Sequence, residues 1–307
     1  MKRELKRVVM FLLFTIALSS IVSAELIISQ PESFYNFGDS LDITVKIVPQ
    51  KDTRDFFTAS LVCSGQEIEL YKSPFKLSAG EQKEVLISIV LDKFIVANGC
   101  GKCNINAKFA DQTAASQSFE LVKDVTVSVI LPNVLYAPAE EIKVEGEAKK
   151  TNSQSLEGFV ELKVPQLDIS LISPVTNGKF TFNFTTPSNT KSGTYPVEIK
   201  AYEKDVFSEI INEGTTTTSI RIRQIPKDLD IALSSQTVSP NEELKFTPVI
   251  TDQSGDKVDA EVTVTVYYPD NTVFRKNIVR SDISSSIPIE SNYTPGSWRI
   301  EATSLDL

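Results

Sequence analysis

The residues with the most distinctive chemistry are three cysteines, all within the first 103 residues of the 307-residue sequence. Cys100 and Cys103 have the Cys-x-x-Cys spacing of a dithiol redox motif or of half a metal site, and Cys63 precedes them. A redox motif usually presents its first cysteine at the N-terminus of a helix, where the helix dipole stabilises the thiolate. The apolar alternation around Cys103 predicts a strand instead, which favours a structural disulfide.

A bridge between Cys63 and Cys103 is the pairing that the alternation favours. Leu61 and Cys63 point to the same face of one predicted strand, and Cys103 falls where two similar segments have Tyr195 and Trp298. We expect all of these side chains in a core. Both cysteines of the pair would therefore be buried next to each other.

Loop entropy also favours this pairing but leaves alternatives open. Closing the 40-residue loop between Cys63 and Cys103 contributes about 4 kcal/mol, against about 2 kcal/mol for the short loop between Cys100 and Cys103. The pairings Cys63–Cys100 and Cys100–Cys103 remain, and every pairing leaves one thiol free or available to link two chains. In an oxidising compartment, structural disulfides are more common than catalytic or zinc-binding cysteines.

Candidate sites other than the cysteines are few. Asp252, Asp256 and Asp259 crowd one loop and are weak calcium candidates, because they lack the ligand order of a known calcium loop. Asn183 and Asn292 each begin an Asn-x-Thr acceptor pattern for N-linked glycans. The sequence contains no histidine, which removes histidine-based triads, the common zinc ligands and the usual general base near neutral pH. We therefore predict no catalytic residue, no cofactor and no enzymatic activity.

Three segments of the sequence repeat one pattern at intervals of 101 and 102 residues. They begin at Tyr35, Tyr136 and Val238, and a second echo begins at Gly101, Gly193 and Gly296. The pairs Glu140-Glu141 and Glu242-Glu243 fall at the same place in the pattern, so we interpret them as a structural feature rather than as the two carboxylates of a glycosidase. A period of about 100 residues is the size of a domain with its own core.

Alternation within the repeats predicts the secondary structure. Apolar and polar residues alternate after each opening turn, as in Leu41, Ile43 and Val45. This period of two indicates half-buried strands, and closely spaced turn formers leave no room for long helices. We predict an all-β protein of three tandem immunoglobulin-like β-sandwiches, because one sheet alone would leave its apolar face in water. The first, second and third repeats are residues 25–124, 125–225 and 226–307.

The third repeat is expected to lack its last strand. In the second repeat, the strand that begins at Gly193 is followed by another that ends near Arg223, whereas the sequence stops at Leu307, shortly after Gly296. Residues beyond Leu307, or a strand from a partner, would complete such an edge. Residues beyond Leu307 could also supply further repeats or attach the protein to a membrane.

The N-terminal residues predict export. Residues 1–7 carry four cations and one acid, residues 8–22 form an almost uncharged apolar run, and small residues precede Glu25. This pattern is typical of a signal peptide, residues 1–24, and its apolar run is too short to span a bilayer. Cleavage would change the net charge from −9 to −12 and leave no basic cluster, so we expect no nucleic-acid partner. The predicted location is extracellular or at the cell surface.

Three segments of the third repeat carry a resemblance to a known family: Asp252-Gln-Ser-Gly-Asp-Lys-Val-Asp-Ala-Glu-Val262, Tyr268-Pro-Asp270 and Pro295-Gly-Ser-Trp-Arg-Ile-Glu-Ala302. They resemble the turn, hairpin and late-strand signatures of macroglobulin-like and other prokaryotic surface immunoglobulin-like domains. The resemblance implies spacers or binding modules on cell surfaces, and some members belong to protease-trapping proteins. Trapping macroglobulins carry a Cys-Gly-Glu-Gln thioester. This chain has Ala79-Gly-Glu-Gln82, in which alanine replaces the thiol, so no thioester can form.

We therefore expect a noncatalytic spacer, or an adhesion and protein-recognition module, whose partner is an unknown protein or a surface glycan. The alternative function is a macroglobulin-like component that binds a protease without a thioester. A more distant alternative is an extracytoplasmic thiol oxidoreductase that uses the Cys100-Gly-Lys-Cys103 motif.

Overall fold

Strands form nearly all of the regular structure of the protein. The structure is a computed structural model that describes residues 25–93, 95–96 and 101–307. In these residues the chain is all-β, as predicted, and its only helical element is a short 3-10 turn at Pro165–Leu167. No helix in this part of the chain has the length and apolar character needed to cross a membrane. The predicted signal peptide, residues 1–24, and Cys100 lie outside the described residues.

The strands follow one another in the three repeats without long connections. The first repeat contains β1 (Glu25–Ile28), β2 (Phe34–Asn36), β3 (Ser40–Val48), β4 (Thr53–Cys63), β5 (Gln66–Leu77), β6 (Lys83–Val90), β7 (Gly101–Phe109), β8 (Gln112–Ala115) and β9 (Phe119–Val122). The second contains β10 (Val125–Ile130), β11 (Leu135–Tyr136), β12 (Glu141–Lys150), β13 (Gly158–Val164), β14 (Ile169–Val175), β15 (Lys179–Thr185), β16 (Gly193–Lys204) and β17 (Ile210–Ile222). The third contains β18 (Pro226–Leu233), β19 (Glu243–Asp252), β20 (Lys257–Val258), β21 (Glu261–Tyr267), β22 (Val273–Arg280), β23 (Ser285–Pro288) and β24 (Arg299–Thr303).

The first two repeats share one arrangement of two sheets. In the first repeat, β1-β3-β6 form one sheet, and β2-β9-β7-β4-β5 form the other, with β8 paired to β7. In the second repeat the corresponding sheets are β10-β12-β15 and β11-β17-β16-β13-β14. The short strands β2 and β11 run parallel to β9 and β17, and the other pairs are antiparallel. The last strand of each of these repeats therefore lies beside an early short strand: β9 lies between β2 and β7, and β17 lies between β11 and β16.

The third repeat has smaller sheets. They are β18-β19-β20, with β23 also paired to β19, and β22-β21-β24. By its position, β24 is the counterpart of β16. In the described part of the chain no strand pairs with the second edge of β24, the place that β17 takes beside β16.

Three separate hydrophobic clusters lie between the sheets. Alternating burial produces them, since inward-facing residues of β3 and β12 are buried while their neighbours are exposed. The first cluster contains residues of 28–121, the second residues of 125–222 and the third residues of 246–287. Several small sheets around separate clusters are consistent with multiple β-sandwich domains.

The opening turn of each repeat is closed by the same hydrogen bond. A carboxylate accepts from the backbone amide three residues earlier in every case. The pairs are Asn36 N to Asp39 Oδ2 at 2.7 Å, Ala137 N to Glu140 Oε2 at 2.6 Å and Ser239 N to Glu242 Oε2 at 2.9 Å. Glu140 and Glu242 therefore occupy one structural position, in agreement with the structural interpretation of the repeated acidic pairs. Glu141 and Glu243 begin the strands β12 and β19 that follow.

Replacing Gly214 by alanine should destabilise the second repeat. A Cβ atom at Gly214, in β17, would lie 1.8 Å from the carbonyl oxygen of Val125 in β10, so backbone would have to move. Overpacking of this kind costs about 1–3 kcal/mol. We expect a lower urea midpoint for G214A, followed by far-UV circular dichroism. Ser219→Ala, at an exposed position of the same strand, should change the midpoint little, and equal midpoints for the two variants would contradict the packing argument.

Candidate functional site

Cys63 and Cys103 form a disulfide inside the first repeat. They are direct cross-strand neighbours on β4 and β7, with Cα atoms 4.1 Å apart. Both side chains are buried in the first cluster, at 5% and 1% exposure, beside residues such as Leu61 and Ile105. The pairing that the alternation favours is thus the one present, and it excludes the two alternatives that would use either of these cysteines with Cys100.

The position of Cys103 recurs in the second and third repeats with a different side chain. A glycine with φ between +142° and +156° precedes it by two residues at Gly101, Gly193 and Gly296, a backbone conformation that favours glycine. In the second and third repeats the equivalent side chains donate a hydrogen bond to a backbone carbonyl four residues earlier. Tyr195 Oη donates to Lys191 O at 2.7 Å, and Trp298 Nε1 donates to Thr294 O at 3.0 Å. In the first repeat, a covalent link between strands takes the place of this local hydrogen bond.

A thiol exchange site requires an accessible thiolate. Cys103 is buried, lies within a strand and is bonded to Cys63 rather than to Cys100. This arrangement holds the strands β4 and β7 together covalently. A structural disulfide also favours an extracytoplasmic compartment, because cytosolic thiols are kept reduced.

The three aspartates of the calcium prediction are each engaged by protein groups. Asp252 Oδ1 accepts hydrogen bonds from Ser254 N at 2.8 Å, Ser254 Oγ at 2.7 Å and Asp256 N at 3.0 Å. Asp256 pairs with Lys191, their Oδ2 and Nζ atoms 2.8 Å apart, and Asp259 pairs with Arg280. No group of three or more acidic, histidine or cysteine side chains in the described ranges is placed to hold a metal ion.

Instead, residues 252–256 form a joint between the second and third repeats. Gln253 is at its centre: its N donates to Ile225 O at 3.2 Å, and its Oε1 accepts from Ile225 N at 2.8 Å. Its Nε2 donates to Thr190 O at 3.0 Å and to Arg223 O at 3.2 Å. Gln224 Nε2 adds a bond to Asp252 Oδ2 at 3.0 Å. One amide side chain therefore holds the connecting segment and a loop of the second repeat together.

The equivalent residues of the second repeat, 150–154, form the joint to the first repeat. Lys150 is 8% exposed, and its Nζ contacts Asp39 Oδ1 at 2.9 Å and Glu203 Oε2 at 3.0 Å. Thr151 N donates to Asn36 Oδ1 at 3.0 Å, and Asn152 Nδ2 donates to Asp39 Oδ2 at 2.9 Å. The carboxylate that closes the opening turn of the first repeat thus also binds the second repeat.

Two asparagines complete this joint. Asn36 and Asn212 are fully buried, and Asn36 Nδ2 donates to Asn212 Oδ1 at 3.2 Å. Every amide hydrogen and oxygen of the two side chains has a partner, which is what buried amides require. The remaining partners are Asp124 O at 3.0 Å for Asn36 Nδ2, Thr151 N at 3.0 Å for Asn36 Oδ1, and Phe37 O and Glu203 Oε2, each at 2.7 Å, for Asn212 Nδ2.

The carboxylates keep Lys150 charged in this buried place. Burial by itself would lower the pKa of Lys150, but the hydrogen bonds and charges of Asp39 and Glu203 outweigh it and hold the pKa above the usual lysine value. The ammonium group is therefore a cation at every physiological pH. Sequence reasoning did not identify this site, although Lys150 and Asn212 stand at buried positions of β12 and β17, and an inward polar residue is the signal that could have found them.

The two glycan-acceptor candidates are both at the surface. Asn183 is an exposed residue of β15, and Asn292 is an exposed residue of the turn after β23. Accessibility is a requirement for modification, and both positions meet it. Their glycosylation stays a prediction.

A cleft of about 510 Å³ lies in the third repeat. It is lined by Leu244, Val266, Trp298 and Ile300, with polar residues of segment 235–237 at its rim. In the first and second repeats the comparable place, between the early short strand and β7 or β16, is filled by β9 or β17. The cleft therefore has the position of a strand within the fold.

Comparisons with known proteins relate the chain to large β-rich proteins. Over 92% of its length it is structurally similar to 23% of the trypsin-activated alpha-2-macroglobulin of Escherichia coli, with 12% identity and a TM-score of 0.26. Over 94% it is similar to 21% of the native form, with 10% identity and a TM-score of 0.27. A beta-glucosidase from Listeria innocua, in complex with glucose, is similar over 32% of this chain and 16% of its own, with 16% identity and a TM-score of 0.26. No protein-family model and no curated protein matches. The chain thus spans less than a quarter of these structures.

Removing the disulfide should destabilise the first repeat. Cys63→Ser with Cys103→Ser releases a 40-residue loop, so unfolding should become easier by about 4 kcal/mol. Urea unfolding of the oxidised protein and the double variant measures the difference. Cys100→Ser is the matched control and should leave the midpoint unchanged, since the bridge does not use Cys100. A control as unstable as the double variant would contradict the assignment.

The third repeat should lose stability in acid through Asp252. Burial would raise the pKa of Asp252, but hydrogen bonds from Ser254, Gln224 and backbone amides outweigh it, so its pKa in the folded protein lies below the usual value. The stabilisation is complete above the unfolded pKa of about 4 and is lost as the pH falls through the folded pKa. Fluorescence of Trp298, the only tryptophan, follows unfolding of this repeat in urea. Asp252→Asn should weaken the acid dependence, and an unchanged dependence would rule the argument out.

Proposed function

We propose that the protein is an exported, noncatalytic array of three immunoglobulin-like sandwiches that serves as a spacer and recognition module at the cell surface. The sandwiches are residues 25–124, 125–225 and 226–307, the third without its last strand. The observation that carries the proposal is that both joints are built by equivalent loops, residues 150–154 and residues 252–256. Each loop binds the repeat before it.

Repeated use of one loop supports an end-to-end arrangement. If each repeat attaches to the preceding one through the same element, the array extends in one direction by the same step. The ends of the sandwiches are then taken up by joints, and the sheet faces are left for recognition. One such face carries the exposed Phe159 and Ile172 of neighbouring strands β13 and β14, with the Tyr202 ring 6.0 Å from that of Phe159. Aromatic and apolar groups of this kind suit a protein or glycan partner.

The chemistry of the chain supports a noncatalytic role. It has no histidine, and its one disulfide is buried. The alanine at position 79 removes the thioester on which covalent protease trapping depends. Protease binding without a thioester is the competing function, and incubation with trypsin or elastase separates the two. The spacer proposal predicts no specific cleavage followed by retention of the protease.

Export and shape provide the decisive test. Protein recovered from the producing cells should begin at Glu25 and should be removed from intact cells by protease added outside. Small-angle X-ray scattering of the purified protein should give an elongated particle rather than a globule of three clustered domains. A full-length chain that still begins with Met1 inside the cell, or a compact particle, would overturn the proposal.

A further inference from the structure

The two joints use equivalent loops but different kinds of polar contact. We call the contact between the first and second repeats the charged joint and the contact between the second and third repeats the amide joint. The charged joint is built from Asp39, Lys150 and Glu203 with Asn36 and Asn212. The amide joint is built around the single side chain of Gln253.

Burial distinguishes the charged joint. Apart from Glu203, which retains some solvent contact, its polar side chains are less than a tenth exposed. It is also apolar in part, since Ile211 of the second repeat packs against the first hydrophobic cluster. The approach is close, because a Cβ atom at Gly38 would lie 3.2 Å from Ile211 Cδ1.

A second contact joins the same two repeats at a distance from the charged joint. The tip of the β16–β17 hairpin reaches the first repeat, where Lys93 Nζ lies 2.5 Å from Glu209 Oε2 and 3.5 Å from Asp205 Oδ2. The same ammonium group lies 5.1 Å from the ring centre of Phe207. The connecting segment is held as well, since Asp124 O accepts hydrogen bonds from both Asn36 and Thr151.

The amide joint has fewer of these features: Asp252 is buried, but Gln253 is partly exposed and Gln224 is exposed. None of the three hydrophobic clusters contains residues of both the second and the third repeats. Its ion pair, Lys191 with Asp256, has side chains that are 68% and 41% exposed. Water can therefore reach Gln253 and Gln224 and replace their hydrogen bonds one at a time.

Small movements have different consequences at the two joints. At the charged joint, a slight rotation would separate buried partners without admitting enough water to solvate them, and unpaired buried polar groups are strongly unfavourable. Buried ion pairs add little net stability, but they restrict a contact to one geometry. At the amide joint the same rotation exchanges protein partners for water.

We propose that residues 25–225 form one rigid body and that the third repeat moves relative to it about a hinge at residues 223–225. The charged joint fixes the first two repeats in a single orientation. The amide joint is a tether that allows the third repeat to sample several. This inference uses the same joints as the proposed function, but it does not depend on export or on any partner.

Residual dipolar couplings of the isotopically labelled full chain test the hinge directly. Backbone couplings from residues of 25–124 and 125–225 should fit one alignment tensor, and those of 226–307 should need a separate tensor of smaller magnitude. One tensor for all three repeats would overturn the hinge. Three independent tensors would overturn the rigid pair.

Lys150→Met tests the cause of the rigidity. The substitution keeps a long unbranched side chain but leaves Asp39 and Glu203 without their shared cation. We expect the tensors of the first and second repeats to diverge while the dispersion of core resonances is retained. Lys191→Met, the matched change at the amide joint, should leave the common tensor of residues 25–225 intact. A K150M protein that keeps one tensor would refute the role of the cation.

Asn212→Ala provides a second variant if K150M does not fold, because it removes the amide that links Phe37 O, Glu203 and Asn36. It should also separate the two tensors, and an unchanged common tensor would refute the lock. Intact mass adds an independent check on the noncovalent contact. A mass lower by one ammonia, together with a cross-linked peptide that contains Lys150 and an asparagine, would show an amide bond between their side chains and would overturn the ionic lock in favour of a covalent one.

Discussion

The contact of Lys150 with Asp39 and Glu203 determines how the first two repeats are arranged. Its cation lies in a buried place between two carboxylates that come from different repeats. A buried charge is tolerated only with paired, hydrogen-bonded partners, so the position of Lys150 requires both carboxylates at once. Asn36 and Asn212 meet the same requirement for the amides around it. The pairing of these few polar atoms thus restricts the orientation of the two repeats.

In the first repeat, one carboxylate stabilises both a local turn and the contact between repeats. In every repeat an acidic side chain closes the opening turn by accepting a backbone hydrogen bond. The carboxylate of Asp39 closes its turn with one oxygen and binds Lys150 with the other. Glu140 and Glu242 close their turns only, in the contacts that the structure describes. The turn-closing carboxylate occurs in every repeat. In the first repeat it also forms a contact between repeats, through a lysine of the second repeat.

The sequence predicts most of the fold because strand alternation is a local property. The inward positions of β3, β4 and β7, and with them the Cys63–Cys103 bridge, follow from a period of two within a few residues. The joints could not be predicted in this way. Lys150 is identifiable as an inward polar residue, but its partner Asp39 lies 111 positions away. Partners at that distance are set by how whole repeats meet.

The aspartates of residues 252–259 show a second limit of prediction from sequence: residues that are close along the chain need not share a ligand. Charges that are close in sequence suggest a shared cation. In the structure their partners come from three different elements: Gln224 for Asp252, Lys191 for Asp256 and Arg280 for Asp259. Each carboxylate is neutralised or hydrogen-bonded on its own, so no site with a concentrated negative charge develops. The loop instead places Gln253 against the preceding repeat.

The third repeat compensates for its smaller core with aromatic packing. Its cluster has seven buried hydrophobic residues in the described chain, against 18 in the second repeat. Beside it, the rings of Tyr268, Phe274, Tyr293 and Trp298 form six contacts with centres 4.8 to 6.4 Å apart. Aromatic pairs add stabilisation beyond the area they bury. Trp298 comes directly before β24 and, with Tyr293, lines the cleft at the edge where the other repeats have a further strand.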